Sequence, residues 1–320
     1  MAGSPQVTTA SDLTIRPLTD AAELELFNGL DYVLNDEFAD DLAQGRRRPS
    51  WMWVAQRSGR LLARAAWWTT SGSDEPKLFD IFDVDDTLDA AEATQIGVRL
   101  VTTALDAIIP DGTEPPEYLH FAPPDWRDNA ASHRAVTVRM AALETLGARP
   151  LVERLRLEWR RGTPLPTPQG RLTFGSVTDR EELIDLMVPV LDNTLDAHSR
   201  ADLETMSPRE AAAKQFDEEF AGFSSPRDWW RVASLDGEPV GFVIPARNTY
   251  NAVIAYIGVL PNFRGHGYVD DVLGEGVRIL AAEDVPRIRA STDVPNVPMA
   301  KAFHRAGFVT FERTINMTWS

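Results

Sequence analysis

The sequence contains no cysteine. Disulfides, thiolate-bound zinc, iron–sulfur clusters and thiol nucleophiles are therefore excluded, and a reducing cytoplasm is the expected location. No apolar run approaches the ~18–20 residues of a membrane-spanning helix. Positive charge is scarce: 32 Lys and Arg stand against 48 Asp and Glu in 320 residues, a formal charge of −16. A surface of that sign repels nucleic-acid phosphates and anionic membranes and attracts cations, so neither nucleic acid nor a membrane is an expected partner. The five histidines, His120, His133, His198, His266 and His304, show no metal-ligand spacing. No G-x-S-x-G nucleophile elbow occurs.

What is present has the balance of a globular protein, 43% apolar and 25% charged. Residues 1–12 are small and polar and are expected to form a disordered tail. The length suggests about two domains of ~150 residues. Pro164, Pro166 and Pro168 sit at the midpoint. Alternate prolines fix an extended backbone and remove donors, so 162–170 reads as a stiff linker between domains at 13–161 and 171–320.

The two halves repeat one another. Leu13-Thr14, Thr19-Asp20 and Glu23-Leu24 recur as Leu172-Thr173, Thr178-Asp179 and Glu182-Leu183. Trp51, Val54-Ala55 and Gly59 recur as Trp229, Val232-Ala233 and Gly237. Gly97-Val98-Arg99 returns as Gly276-Val277-Arg278, and Gly147 and Trp159 as Gly307 and Trp319. Matches in one order on the same coarse elements indicate duplication. Each half reads strand, helices, hairpin, strand, helix, strand, helix, final strands: an α/β layout with a mixed central sheet flanked by helices. The second half has an extra segment before its Trp229 strand, with Asp192, Asp196, His198 and a helix near Pro208 to Phe220.

The chemistry concentrates after an apolar strand, Asn251 to Leu260, which runs into Pro261-Asn262-Phe263-Arg264-Gly265-His266-Gly267-Tyr268-Val269 and a helix. A glycine-rich turn at a helix start points backbone N–H groups outward, and the helix dipole adds positive charge; a pyrophosphate fits there. Downstream come Asp293-Val294-Pro295-Asn296, Met299-Ala300, Phe303 and Gly307-Phe308. Together, Val259-Leu260-Pro261, Arg264, Gly265-x-Gly267 and the set Asn296, Met299, Phe303, Gly307-Phe308 resemble the two acyl-CoA motifs of GCN5-related N-acetyltransferases (GNATs). The resemblance covers 171–320 directly and, through the repeat, makes the chain similar to a tandem member with a degenerate first half.

That resemblance implies acetyl-CoA as cofactor, held in an opening between two splayed parallel strands, with direct attack by a substrate amine on the thioester. Main-chain amides from Arg264 to Val269, including Gly265, His266, Gly267 and Tyr268, would hold the pyrophosphate; those of Gly258, Val259 and Leu260 would hold the pantetheine. Phe263, Asn296, Ala300 and Phe303 complete the implied cofactor site. The sequence departs from the family pattern at Val269, where glycine or alanine is usual, and at Phe303, where many members have a tyrosine acid. The strand also lacks the glutamate that often serves as base. Tyr256, its only phenol, is a catalytic candidate; candidate bases from elsewhere are Asp192, Asp196, His198 and the terminal carboxylate of Ser320, each competing with a reading as a solvated or structural residue.

In the first half the matching turn is Phe82-Asp83-Val84-Asp85-Asp86-Thr87-Leu88. Its aspartates would repel a pyrophosphate, so this half is expected not to bind CoA. The pairs Trp67-Trp68 and Trp229-Trp230 are expected at strand positions in the core, and Arg46-Arg47-Arg48 as a solvated turn. The functional expectation is acetyl transfer to a primary amine of a small cationic molecule, by a monomer or homodimer. The alternatives are peptide or protein N-acetylation and a non-catalytic acyl-CoA-binding module.

Overall fold

Two hairpins show how the repeat is built. Ser58-Gly59 and Asp236-Gly237 each turn through left-handed backbone, with φ of 51° and 80° in the first and 50° and 86° in the second. Both are two-residue turns whose twist matches the flanking strands. The computed structural model describes residues 13–177 and 179–319; the 1–12 stretch, Thr178 and Ser320 lie outside the described residues.

The elements in order are β1 (Leu13–Pro17), α1 (Leu24–Phe27), α2 (Phe38–Ala43), β2 (Met52–Arg57), β3 (Arg60–Trp68), β4 (Leu78–Val84), α3 (Ala90–Ile108), β5 (Tyr118–Ala122), α4 (Ala130–Thr145) and β6 (Arg149–Arg160). There follow β7 (Thr173–Ser176), α5 (Arg180–Val190), α6 (Ala197–Thr205), α7 (Pro208–Glu218), β8 (Arg231–Leu235), β9 (Glu238–Arg247), β10 (Ala252–Val259), α8 (Tyr268–Ala282), β11 (Arg287–Asp293), α9 (Val297–Arg305) and β12 (Val309–Thr318). The chain packs into two units, Met1–Leu151 with Thr314–Ser320, and Val152–Arg313. Unit 1 has strand order β1-β2-β3-β4-β5, with the end of β12 beside β5; unit 2 has β6-β11-β10-β9-β8-β7. The proline-rich stretch lies within unit 2, where the Arg278 guanidinium donates to the Pro166 carbonyl at 3.1 Å.

The repeated residues have shared physical jobs. A Cβ on Gly97 of α3 would lie 2.7 Å from the Phe82 ring, and one on Gly276 of α8 would lie 2.8 Å from Val243, so both helices need a bare backbone to sit on their sheets. Gly147 and Gly307 follow α4 and α9 with φ of 89° and 90°, the left-handed turn that ends a helix. Asp20 and Asp179 each accept from backbone N–H groups at a helical start.

Two expectations are corrected. Trp51 and Trp229 close short 3₁₀ turns ahead of β2 and β8, and Trp230 also precedes its strand. Each turn begins just after or at a proline, Pro226 or Pro49, which favours it over strand. Trp67 and Trp230 are nonetheless fully buried. The Arg46-Arg47 pair is no solvated turn: the residues are 6% and 1% exposed. Asp41 accepts from both Nε atoms at 2.7 and 3.0 Å, and Asp80 accepts from Arg47 at 2.7 and 2.6 Å. Burial of such charges requires partners, and Asp80 is remote in sequence, which hid the cluster. Among the described residues no helix is long and apolar enough to cross a membrane, and no group of His, Asp and Glu could hold a metal ion.

Candidate active site

In unit 2, β10 and β11 run parallel but pair at only two positions, Ala252 with Ile288 and Val253 with Arg289. β10 then carries a bulge between Ile254 and Tyr256. Beyond it the strands part towards Gly258 and Asp293. Gly258 is required here, because a Cβ would meet Val190 of α5 at 2.8 Å. A cavity of about 910 Å³ fills the opening and continues under α6 and α7.

The turn before α8 forms one wall. Gly265 and Gly267 have φ of 84° and 75°. Among the described residues, no acceptor takes the N–H groups of Gly265, His266, Gly267, Tyr268 or Val269. Arg171 pins the other side of this turn, donating to the carbonyls of His266 and Gly267 at 3.0 Å each and to Asp271 at 3.1 Å. Five donors are thus left facing away from their own carbonyls at a helix start, the arrangement that receives an anion. The Arg264 side chain is a strut: it donates to the carbonyls of Val259 at 3.2 Å and of Asp192 and Val190 at 2.9 Å each. It thereby satisfies the C-terminal end of α5.

The opposite wall is charged. Asp196 caps α6 through the Ser199 N–H at 2.8 Å and meets Arg154 at 3.5 Å. Arg154 also pairs with Asp293 at 2.9 Å, and Asp293 accepts from the Ala197 N–H at 2.7 Å. Burial opposes the Asp196 charge, but Arg154, the Ser199 N–H and His198 outweigh it and hold the carboxyl below the usual range. Asp293 moves up, through burial and then the Asp196 charge, against Arg154. Glu219, just beyond α7, is exposed in total surface yet raised by the protein around its carboxyl. That burial outweighs a Gln215 hydrogen bond and Arg154, and Asp196 adds to the rise. The Tyr256 ring stacks on Phe242 at 5.5 Å and meets Phe220 edge-on at 5.9 Å. Burial, with Asp196 and Glu219 nearby, raises its phenol and keeps it neutral.

Residues 195–308 match the model of the acetyltransferase (GNAT) family. That part of the second unit is a GNAT-family domain. The fold likeness covers nearly the whole chain. A GCN5-related N-acetyltransferase from Sphaerobacter thermophilus superposes with a TM-score of 0.61 at 15% identity, over 97% of this chain and 96% of that one. A tandem GNAT protein from the clavulanic acid biosynthesis pathway gives 0.52 at 16% identity, over 96% and 98%. A GCN5-related glucosamine N-acetyltransferase region of a fungal multi-domain β-N-acetylglucosaminidase gives 0.56 at 13%, over 97% of this chain and 38% of that one. No curated protein sequence matches.

Within the GNAT domain, the cavity is lined by Tyr256, Gly258, Val259, Phe263, Arg264, Gly265, Gly267, Tyr268, Val269, Asn296, Phe303, Asp196 and His198. Leu260, His266, Ala300 and Asp192 do not line it. The Leu260 N–H donates to the Val240 carbonyl at 2.8 Å, so it is spent in the fold and not free for a pantetheine. His266 is exposed beside the Tyr268 ring; Ala300 is buried in α9; the Asp192 carboxylate accepts from Asn193 at 3.1 Å in solvent. Ser320 is outside the described residues. Phe303 is 1% exposed and packs edge-on against Phe308 at 5.1 Å, and Asn296 caps α9. Arg154, Arg171, Glu219 and Asp293 were not foreseen as site residues. One signal was readable: Arg154, Arg156, Glu158 and Arg160 alternate with Leu155, Leu157 and Trp159, the mark of a strand with one charged face.

Unit 1 has a matching pair of strands, β4 and β5, parallel and joined at Phe79 and Tyr118. Here Arg139 of α4 enters from the side, 6% exposed, donating to the Phe82 carbonyl at 2.7 Å and to Asp83 at 2.9 Å. Arg64 takes the other Asp83 oxygen at 2.8 Å. Phe82, Asp83 and Val84 thus belong to β4 and not to a phosphate turn, and Asp83 is buried in ion pairs.

Proposed function

We propose that unit 2 transfers an acetyl group from acetyl-CoA to a primary amine, and that unit 1 binds no CoA. The row of unengaged N–H groups from Gly265 to Val269, beside the parted ends of β10 and β11, is the observation that carries this reading. The residues present fit the cofactor: the five amides match the charge of a pyrophosphate, and the slot at Gly258 and Val259 suits an extended thiol arm. When bound, the cofactor would supply the acetyl thioester. Asp196, held ionised by Arg154, would orient the substrate ammonium. Glu219, raised and facing the same cavity, would accept the amine proton; His198 is the other proton acceptor at hand. Tyr256, neutral and fixed between Phe242 and Phe220, would donate a hydrogen bond to the oxygen that gains charge. Phe303 carries no proton, so the thiol would leave without an acid from that position.

Gly267→Glu tests the reading. Bulk and negative charge in the anion cradle should lower acetyl-CoA affinity by about a hundredfold or more, read by calorimetry. Unchanged affinity would place the cofactor elsewhere. A second reading, a CoA-binding module without turnover, draws on Phe303 and on the strand without glutamate. It is favoured if acetyl-CoA binds and no amine, free or at a peptide N-terminus, releases thiol.

A further inference from the structure

We propose that the acceptor carries two charges: the reacting amine at the Asp196–Glu219 end of the cavity, and a carboxylate held by Arg156 and Arg289. This rests on the amine-acceptor reading above and narrows it. β6 and β11 pair in register, Arg156 opposite Ser291 and Glu158 opposite Arg289, with Arg160 opposite Arg287. Alternation puts Arg154, Arg156, Glu158 and Arg160 of β6, with Arg287, Arg289, Ser291 and Asp293 of β11, on one face of the sheet, opposite the face where Leu155, Leu157, Ile288 and Ala290 join the core. Arg156 and Arg289 line the cavity.

The far end of this face is rich in arginine. Glu158 pairs with Arg289 at 2.7 Å and with Arg160, which is exposed, and Glu312 pairs with Arg156. Arg287 is held by the amide of Asn251 at 2.9 Å. The Arg289 guanidinium lies 3.6 Å from the Phe311 ring centroid and that of Arg156 5.2 Å from it, so both forks are fixed by one aromatic ring. The Arg289 Nε is buried without a hydrogen-bond partner among the described residues. Burial, with Arg287 and Arg156 working against Glu158, lowers this guanidinium to about 10. A planar carboxylate answers such a fork with two charge-assisted bonds.

The near end has the opposite sign: Asp196, Asp202, Glu218 and Glu219 line it with two cations, Lys214 paired with Asp202 at 2.7 Å and Arg154 with Asp196 at 3.5 Å. Two guanidinium groups braced on one ring in the cavity wall, one with an unpartnered buried Nε, are what a carboxylate ligand would meet. Arg156 stands opposite Ser291, two residues before Asp293, and Arg289 lies four before it. The carboxylate therefore sits ~7–13 Å along the sheet from the amine.

The test follows thiol release from acetyl-CoA by the full chain with three amines of one length: aminooctanoate, aminooctanol and diaminooctane. Aminooctanoate should exceed each of the others by about tenfold or more in kcat/KM. In Arg156→Gln, and in Arg289→Leu paired with Glu158→Leu so that no buried carboxylate is orphaned, that ratio should fall towards one, with folding checked by circular dichroism. A ratio near one in the wild type, or one unchanged in both variants, overturns the proposal. If no amine releases thiol, the activity itself is refuted, and calorimetry then decides the subsite. Aminooctanoate binding weakened about tenfold by Arg156→Gln upholds it; no binding, or no difference, overturns it.

Discussion

Arg139 donates to Asp83 at 2.9 Å inside unit 1, where the parallel strands β4 and β5 have only begun to part. A guanidinium from α4 thus sits against the end of β4, whereas in unit 2 the ends of β10 and β11 border a cavity. Burial opposes the Asp83 charge, yet Arg64, Arg139 and His120 hold its carboxyl below the ordinary range. On the proposal that unit 1 binds no CoA, Arg139 would be a plug, excluding the cofactor by filling space, beside the repulsion expected from the aspartates. Asp85 is likewise engaged, with Arg60 and Thr87.

Arg139→Met should leave Asp83, 1% exposed, with one cation fewer, and should destabilise the protein by about 3 kcal/mol, read from urea unfolding. Wild-type protein should bind one acetyl-CoA per chain by calorimetry. A stoichiometry of two would reject the plug.

His120 gives unit 1 a pH signature. It is 6% exposed, and burial, then Arg139, pushes its imidazole down to about 3. The unfolded chain titrates near 6.5, so between these values the unfolded state binds the extra proton. Stability from this group is complete above about pH 6.5 and is lost as pH falls towards 3, by at most ~1.4 kcal/mol per pH unit. Asp83 acts in the same direction at the acid end of this window. Urea midpoints at pH 7, 6 and 5 should fall in the wild type and fall less in His120→Gln; parallel slopes would remove His120 from the account.

Much of this fold was legible because its signals are local. The hairpin pairs at Gly59 and Gly237, the helix-ending Gly147 and Gly307, and the strand–turn–helix around Gly265 and Gly267 announce themselves within a few residues. The arginines did not. Arg47 is explained by Asp80, Arg139 by Asp83 and Arg171 by Asp271, partners brought together only by tertiary packing. Arg264 stood in the cofactor motif, but its side chain proves to brace α5, a role that no spacing of residues encodes. Glu219 was hidden for another reason: its value lies in the cavity around it, and nothing adjacent to it in sequence marks that.

Arg171 should matter for both folding and cofactor. It holds the carbonyl side of the anion cradle and neutralises Asp271, which is 6% exposed. Arg171→Ala should cost about 3 kcal/mol of stability, by leaving a buried carboxylate without its cation. Restoring stability with Asp271→Asn in the same chain isolates the cradle. That double variant should still bind acetyl-CoA about tenfold more weakly than wild type, because the turn loses its clamp. Wild-type affinity in the double variant would reduce Arg171 to a stabilising role.

Glu219 supplies the sharpest test of the chemistry. The charges around its carboxyl are Asp196 at the start of α6 and Arg154 on β6, with Gln215 on α7 bonded to it and the neutral phenol of Tyr256 on β10 nearby. Its raised carboxyl is protonated at acid pH and cannot then accept a proton. Activity should therefore rise with pH through a value above the ordinary carboxylate, ~4.3, and level off once Glu219 is ionised. Glu219→Gln should lower kcat by about 10²–10⁴-fold and abolish that acid limb, while acetyl-CoA affinity, which the proposal assigns to the Gly265–Val269 turn, should not change. Tyr256→Phe should lower kcat and keep the limb, since its phenol stays neutral throughout. An intact acid limb in Glu219→Gln would move the proton acceptor to His198 or Asp196; the lowered carboxyl of Asp196 makes it the weaker base of the two, and His198→Gln would then be the variant that loses the limb.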